Sequence, residues 1–264
     1  MQNRIILLLS IPLTASIIIV SCVGLFTPGF YSVETLNWQA QTSGQDIIDL
    51  FLIAPCLLIT SILAYRNNRK ATIIRGGILL YLTYTFVLYC FDVHFNKLLI
   101  LYCCCLGLSF YSLIYFLFTH QQCKVLFENK KVNRFIGIYF IIVAVLFYFL
   151  WLSEIIPATI QNTIPKSVAD AGLFTNGVEV IDLAVLLPAI FITGVFLLKE
   201  IPVGFILAPV MLTFFVLMDI TIGVLAIVMK IKGIESDLTL TAIMGVLALI
   251  SLSLLIWHLK AFNN

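Results

Sequence analysis

Two acidic segments of similar residue types lie half a chain length apart. The first reads Ser43-Gly44-Gln45-Asp46-Ile47-Ile48-Asp49-Leu50, and Pro55 follows after four apolar residues. The second reads Asn176-Gly177-Val178-Glu179-Val180-Ile181-Asp182-Leu183, and Pro188 follows after the same interval. Each matched position is offset by 133 residues, as from Asp49 to Asp182, in a chain of 264 residues. This spacing predicts a duplicated unit with an acidic feature in each half.

The first acid of each segment has the spacing of a helix cap. Ser43 and Asn176 are good N-cap residues, and an acid three residues later completes a capping box. Negative charge at this position is also favourable next to the helix N-terminus. We therefore interpret Asp46 and Glu179 as capping residues, and we keep both as candidate ligands of a site that they would adjoin.

The second acid of each segment is not explained by capping. Asp49 and Asp182 lie one turn deeper on the same helix face, inside an apolar run. A carboxylate there is costly unless it faces a partner or a wet cavity, which favours a functional site. The alternative is a hydrogen bond that locks neighbouring helices together.

Both segments are followed by a proline that should interrupt the helix. Pro55 and Pro188 each remove a backbone hydrogen bond and are expected to kink their helices. Interruptions at matching positions of two halves indicate the binding site in transporters built from repeats, although a kink used only for packing fits as well.

Asp219 is a third candidate because it lies inside an apolar run with no charged neighbour in sequence. The matching position in the first half is Phe86, so the two halves differ chemically. We expect Asp49, Asp182 and Asp219 to act as cation, proton or solute partners.

A stripe of tyrosines precedes Asp92 in the third apolar run. Tyr81, Tyr84 and Tyr89 fall close to one helical face with that acid. A packing seam and a solute pathway both fit this pattern.

Composition places the chain in a membrane. Hydrophobic residues make up 62% of the chain and charged residues 11%, with a mean hydropathy of +1.12, which excludes a soluble globule. A net charge of +2 gives no indication of nucleic-acid binding. Apolar runs long enough to cross a bilayer as helices predict eight spans. Their approximate bounds are 4–26, 46–65, 73–92, 96–119, 134–154, 178–199, 203–230 and 237–259.

Basic residues predict the topology. Two loops are enriched in Lys and Arg and should be cytoplasmic. The residues concerned are Arg66, Arg69, Lys70 and Arg75 in one loop and Lys124, Lys130, Lys131 and Arg134 in the other. Both termini are then cytoplasmic, and the two halves have the same orientation. We therefore predict an all-α, polytopic integral membrane protein of the cell membrane, with two parallel four-helix repeats at 1–131 and 132–264 that form one membrane domain.

Signatures of cofactor or enzyme chemistry are scarce. The seven cysteines include no CxxC pair and lie mostly in apolar runs, which is typical of buried membrane residues rather than metal ligands. His94, His120 and His258 fall at helix ends or in loops, where they cannot form a buried haem-binding pair. We expect no metal and no cofactor. An intramembrane enzyme that uses Asp49 and Asp182 as paired acids remains an alternative.

The repeated segment, written GQDxIDLxxxxP, and the FNxLxxLY-like run from Phe95 to Tyr102 resemble a pattern in uncharacterised multi-pass bacterial membrane proteins. The resemblance covers the membrane core and implies no activity. From the residues we predict a small transporter or channel-like protein, with an acidic site for a cation, proton or solute between the repeats near the outer leaflet. The alternatives are a non-catalytic sensor or assembly factor and the paired-aspartate enzyme. The expected partners are the lipid bilayer and a small solute, and the sequence does not indicate an oligomeric state.

Overall fold

The computed structural model describes residues 2–120, 130–234 and 238–260, and these residues form helices with no strand. Eleven α-helices and two π-helical segments succeed one another along this part of the chain. They are α1 (Gln2–Phe26), α2 (Leu36–Ile48), the first π-segment (Asp49–Ile53), α3 (Ala54–Tyr65), α4 (Arg69–Phe91), α5 (Leu99–His120), α6 (Lys130–Gln161), α7 (Lys166–Ala171), α8 (Gly177–Ile181), the second π-segment (Asp182–Leu186), α9 (Leu187–Leu198), α10 (Pro202–Ile231) and α11 (Leu238–Lys260).

Eight stretches of the described residues are long and apolar enough to span a membrane. They are Arg4–Phe26, Leu36–Tyr65, Arg69–Phe91, Leu99–His120, Lys130–Gln161, Gly177–Leu198, Pro202–Ile231 and Thr241–Lys260. Large apolar side chains point outward from them, including Leu8, Phe118, Phe149 and Leu249. Exposure of such an apolar surface to water is unfavourable, whereas its contact with lipid is favourable. The predicted all-α class and the eight spans are confirmed, as expected for a multi-pass membrane protein in contact with a lipid bilayer.

Polar caps set where several helices begin. The Thr35 hydroxyl accepts the backbone N–H of Trp38 at 3.2 Å and starts α2, and Asn68 accepts the N–H of Ala71 at 3.0 Å and starts α4. Pro202 occupies the first turn of α10, where its missing N–H costs no helical bond.

Two of the predicted helix ends were wrong. The second span begins at Leu36, ten residues before the predicted start at 46, because Thr35 rather than Ser43 provides the cap. The fifth span continues through Pro157 to Gln161, beyond the predicted end at 154.

Irregularities of the backbone occur at matching positions of the two acidic segments, 133 residues apart. The π-segments begin at Asp49 and Asp182, and each is followed by a proline at the start of the next helix. In both π-segments the N–H of the residue before the proline bonds to the acid's own carbonyl, a wider turn than the α-helix makes. At the far ends of α3 and α9, Asn67 and Glu200 adopt φ of 65° and 56°. These matched features support the two-repeat arrangement and the division at 131/132, both of which stay predictions.

The helices of each half have corresponding neighbours. In the first half α1 packs against α3 and α5, and in the second half α6 packs against α9 and α11. Between the halves α4 packs against α10, while α2 contacts α10 and α8 contacts α4. The contact of α4 with α10 is close, since a Cβ added at Gly77 would overlap the side chain of Thr213. The contact face between the halves therefore includes α2 and α4 on one side and α7, α8 and α10 on the other.

The sequence suggested that Arg75 lies in a basic loop, and this prediction was wrong. It is inside α4 with 1% of its surface exposed, and its Nε donates to the Ser10 hydroxyl at 3.2 Å. Arg66 and Arg69 are exposed at the turn between α3 and α4, whereas Lys124 lies outside the described residues. The cytoplasmic location of this turn and of both termini stays a prediction.

Candidate functional site

A cavity of about 400 Å³ opens between the two halves. Its wall includes residues of α2 and α4 from the first half and of α6, α9 and α10 from the second. Most of the wall is apolar or aromatic. The polar side chains of the wall are Gln41, Thr42, Gln45, Thr85, Asp182, Asp219 and Thr221, together with tyrosines. The described wall contains no Lys or Arg, so its charged groups are carboxylates alone.

Asp219 lies on this wall from the middle of α10. Its side chain is 7% exposed, and its Oδ2 has no hydrogen-bond partner among the described residues. A buried carboxylate oxygen without a partner is costly, because it has lost water and gained nothing in exchange. Asp219 is therefore the group on the wall that is most ready to receive a cation or a hydrogen-bond donor.

Asp182 also lies on the wall, at the first residue of the second π-segment. Its Oδ1 accepts from the Tyr84 hydroxyl at 3.1 Å, and its Oδ2 accepts from the indole Nε1 of Trp151 at 3.0 Å. The π-segment widens the helix next to Pro188, and two helices, α4 and α6, hold the carboxylate in place. Asp182 can add negative charge to the cavity, while both of its oxygens already have donors.

Asp49 does not line the cavity. It is fully buried, and its Oδ1 accepts from the Gln45 side-chain amide at 3.0 Å. The same amide nitrogen donates to the Tyr81 hydroxyl at 2.7 Å, and Tyr81 lies 2.8 Å from the hydroxyl of Thr221. Gln45 and Thr221 do lie on the wall. The acid at this position thus connects to the cavity only through other side chains.

Asp46 is not a helix cap, and this part of the sequence interpretation was wrong. Because α2 begins at Leu36, Asp46 falls three turns inside the helix, fully buried. Its carboxylate accepts from the Tyr31 hydroxyl at 2.8 Å and the Tyr89 hydroxyl at 2.7 Å. Gly24 of α1 makes room for it, since a Cβ there would overlap Asp46 Oδ2. Burial and the neighbouring carboxylate raise the pKa of Tyr31 well above its ordinary value, so this phenol stays a donor.

Glu179 occupies the capping region that the sequence predicted. Asn176 is the N-cap of α8 and accepts the N–H of Val178 at 3.0 Å. Glu179 accepts from the side-chain amide of Asn176 and the hydroxyl of Ser167, both at 2.8 Å. It is not part of the cavity wall. The predicted cap is confirmed in the second segment, although the amide of Asn176 takes the place of its backbone N–H.

Asp92 joins the two halves beside the second segment. Its Oδ2 accepts the backbone N–H of Gly177 at 3.0 Å, and a Cβ added at Gly177 would overlap this carboxylate. Burial raises the pKa of Asp92 to about 6. A second cavity of about 590 Å³ lies here, with Asp92 and Gly177 on its wall, and it shares Leu88 and Val93 with the wall of the first.

The structure therefore brings two of the five predicted ligands, Asp182 and Asp219, to one cavity. The donors that hold the acids in place were not predicted from the sequence, above all Tyr31, Trp151 and Gln45. Gln45 was the most accessible of these from sequence, since it lies one helical turn before Asp49. Tyr84 and Tyr89 were noted as a stripe, and they lie on the cavity wall while they bind acids.

Comparison with known proteins gives no relative. No protein-family model matches the chain, and neither the curated proteins nor the solved structures contain a match to it.

Proposed function

We propose that this membrane protein transports or conducts a small cationic solute through the cavity between its two halves. The observation that carries the proposal is the location of Asp219: its buried Oδ2, like that of Asp49, has no partner among the described residues, but Asp219 alone of these two acids lies on the wall of that cavity. An ionisable group at this depth is rarely retained unless it faces a functional partner or a water-filled space. Asp182 adds a second carboxylate to the same wall.

The arrangement of the halves supports the same conclusion. In transporters built from repeats the substrate lies at the interface between them, near interrupted helices, and alternating access arises when the halves rock about that site. Here the interrupted helices carry Asp49 and Asp182 in their π-segments. In this proposal Asp219 is the primary partner of the solute and Asp182 an auxiliary one. Asp49, Asp46 and Glu179 hold the surrounding helices in position.

The test is whether water-soluble reagents reach the cavity from both sides of a membrane. Met218 lies on the cavity wall, whereas Ile220 is exposed on α10 outside that wall. In a protein whose seven cysteines have been replaced, Met218→Cys and Ile220→Cys would be reconstituted in vesicles. Each would be treated from one side at a time with a membrane-impermeant, trimethylammonium-bearing methanethiosulfonate.

We expect Met218→Cys to react from both sides and Ile220→Cys from neither. Adding Asp219→Asn to Met218→Cys should lower the rate of modification by the cationic reagent by about tenfold, because a carboxylate in a low-dielectric cavity concentrates cations. The rate of modification by a neutral methanethiosulfonate should not change. A Cys at Ser32, in an exposed loop, shows that the reagent is active. Reaction from one side only contradicts transport and favours a sensor, and no reaction at all contradicts an accessible site.

A further inference from the structure

The charge and the hydrogen bonds of the cavity wall point to a ligand with one cationic group. Asp182 and Asp219 are the charged groups on the described wall, and no basic side chain there offsets them. Asp182 has a donor on each oxygen, at 3.1 Å from Tyr84 and 3.0 Å from Trp151. Asp219 is 93% buried, as its exposure of 7% implies, and it keeps an oxygen without a partner in the part of the chain that the structure describes. The neutral donors hold Asp182 in place without cancelling its charge, so Asp219 is the carboxylate of the described wall that keeps an oxygen for direct contact with a cationic group.

The shape and the wall of the cavity point to an organic molecule. A volume of about 400 Å³ is in the range of sites that hold small organic ligands. Aromatic rings form much of the wall near the two acids, and they include Tyr139, Trp151, Phe214 and Phe215. Such rings bury apolar groups and attract cations over their faces.

A bare metal ion fits this wall poorly. Hard cations such as Ca²⁺ take about six to eight oxygen ligands, and Mg²⁺ about six. The described residues contain no group of three His, Cys, Asp or Glu side chains able to hold a metal ion. An organic cation needs only one counter-charge, because its positive charge is spread over carbon-bearing groups that the rings can cover.

Methionines make the wall adaptable. Met218, Met229 and Met244 all lie on it, and the flexible, polarisable methionine side chain can repack around ligands of different shapes. We infer that the cavity binds apolar organic monocations, namely quaternary ammonium ions or protonated amines with an aromatic or aliphatic body. This inference rests on the proposed function and names the class of its solute.

The binding of benzyltrimethylammonium tests this class. Its neutral isostere, neopentylbenzene, has carbon in place of nitrogen, and K⁺ carries the same charge without the apolar body. Equilibrium dialysis with the purified full-length protein in detergent measures the affinity for each probe. The matched control for Asp219→Asn is Asp170→Asn, which removes an exposed carboxylate of α7 away from the cavity wall. Asp219→Glu retains the charge and serves as the rescue variant.

We expect saturable binding of benzyltrimethylammonium, at least tenfold weaker in Asp219→Asn, restored within threefold in Asp219→Glu and unchanged in Asp170→Asn. Neopentylbenzene should bind more weakly than the cation and equally to wild type and Asp219→Asn. The inference is overturned if neopentylbenzene binds as tightly as its charged counterpart, if K⁺ displaces benzyltrimethylammonium at equal concentration, or if the cation does not bind.

The result separates the two proposals. If Met218→Cys reacts from both sides while benzyltrimethylammonium does not bind, the ligand class is wrong and the transport function stands. If neither result is positive, both proposals fail.

Discussion

The two acidic segments share their spacing and their helical irregularity, but their carboxylates have different surroundings. In the first segment Asp46 and Asp49 are fully buried, and side chains of the first half donate to both. In the second, Glu179 accepts from the side chain of the N-cap residue Asn176 and Asp182 lies on a cavity wall. Similar residues and the same backbone irregularity therefore serve two purposes, and the difference comes from where each helix begins.

The start of the helix produces this difference directly. α2 begins at Leu36 and carries the first segment into the protein interior, whereas α8 begins at Gly177 within the second segment. An acid at the third helical position can cap, because backbone N–H groups there lack partners. An acid three turns inside must find side-chain donors, and Asp46 finds two tyrosines. The acids of the first segment accordingly stabilise the fold, whereas Asp182 of the second segment lies on the cavity wall.

The largest expected contrast is between Asp46→Ala and Glu179→Ala. Asp46→Ala leaves the buried hydroxyls of Tyr31 and Tyr89 without an acceptor and should lower the free energy of unfolding by about 2–4 kcal/mol. Glu179→Ala should cost about 1 kcal/mol, because its donors Ser167 and Asn176 are partly exposed and can turn to water.

Unfolding in detergent micelles with increasing dodecyl sulfate measures both free energies. A Tyr31→Phe, Tyr89→Phe double variant removes the same hydroxyls, and adding Asp46→Ala to it should then cost less than Asp46→Ala alone. Equal costs for Asp46→Ala and Glu179→Ala in the wild-type background would show that the first segment is no more important for stability than the second.

A pH dependence of intermediate size should arise from the contact that anchors the second segment. Burial raises the pKa of Asp92 to about 6, whereas the unfolded chain has the ordinary value of about 3.9. The folded protein binds this proton more tightly, so the Asp92 contribution to stability is greatest below about pH 4 and decreases as the pH rises to about 6. Above that range the contribution stays at its lower value.

Asp92→Asn isolates this effect. Its side-chain oxygen can still accept from the N–H of Gly177. The variant should therefore gain stability relative to wild type between about pH 4 and pH 6 in thermal unfolding scans. Asp170→Asn, at an exposed position, should follow the wild-type curve. A constant difference between wild type and Asp92→Asn across this range is the contrary result.

The smallest contrast concerns the two residues that sequence analysis treated as equivalent caps. Asn176→Ala should lower the free energy of unfolding by about 1 kcal/mol, since Asn176 caps α8. Ser43→Ala should change it by less than about 0.5 kcal/mol, because Ser43 lies inside α2, where Ala favours the helix. Its hydroxyl donates to the carbonyl of Gln39 and accepts from Lys232 at 3.0 Å. A loss at Ser43 as large as that at Asn176 would contradict this assignment.

Sequence reasoning located the spans because lipid requires long apolar helices, whatever their tertiary contacts. It missed the start of α2, since the polar stretch from Gln39 to Ser43 looks like a loop when its burial is unknown. In the fold, residues of this stretch such as Gln41 and Thr42 lie on the cavity wall. Because these polar side chains face a cavity inside the protein, the first three turns of this membrane helix were not recognised from the sequence.

The candidate site was predictable only in part. Asp219 could be selected from sequence because an isolated acid in an apolar helix is costly whatever surrounds it. The separation of Asp49 from Asp182 was not predicted, because the two acids follow segments of similar residue pattern. It depends on Gln45, Trp151 and Tyr84, which reach them from elsewhere in the helix or from other helices. Gln45 gave a local signal one helical turn before Asp49, whereas Trp151 and Tyr84 lie far from Asp182 in the chain and gave none.

The most direct test of the account compares the two equivalent acids in one assay. Asp49→Cys and Asp182→Cys, each in the cysteine-free protein, would be treated with the impermeant trimethylammonium reagent and followed by intact-protein mass spectrometry. Our account predicts that Asp182→Cys reacts, while Asp49→Cys stays unmodified over the same time, because only Asp182 lies on the cavity wall. Equal reaction of the two cysteines, or faster reaction at position 49, would contradict the division of roles between the segments.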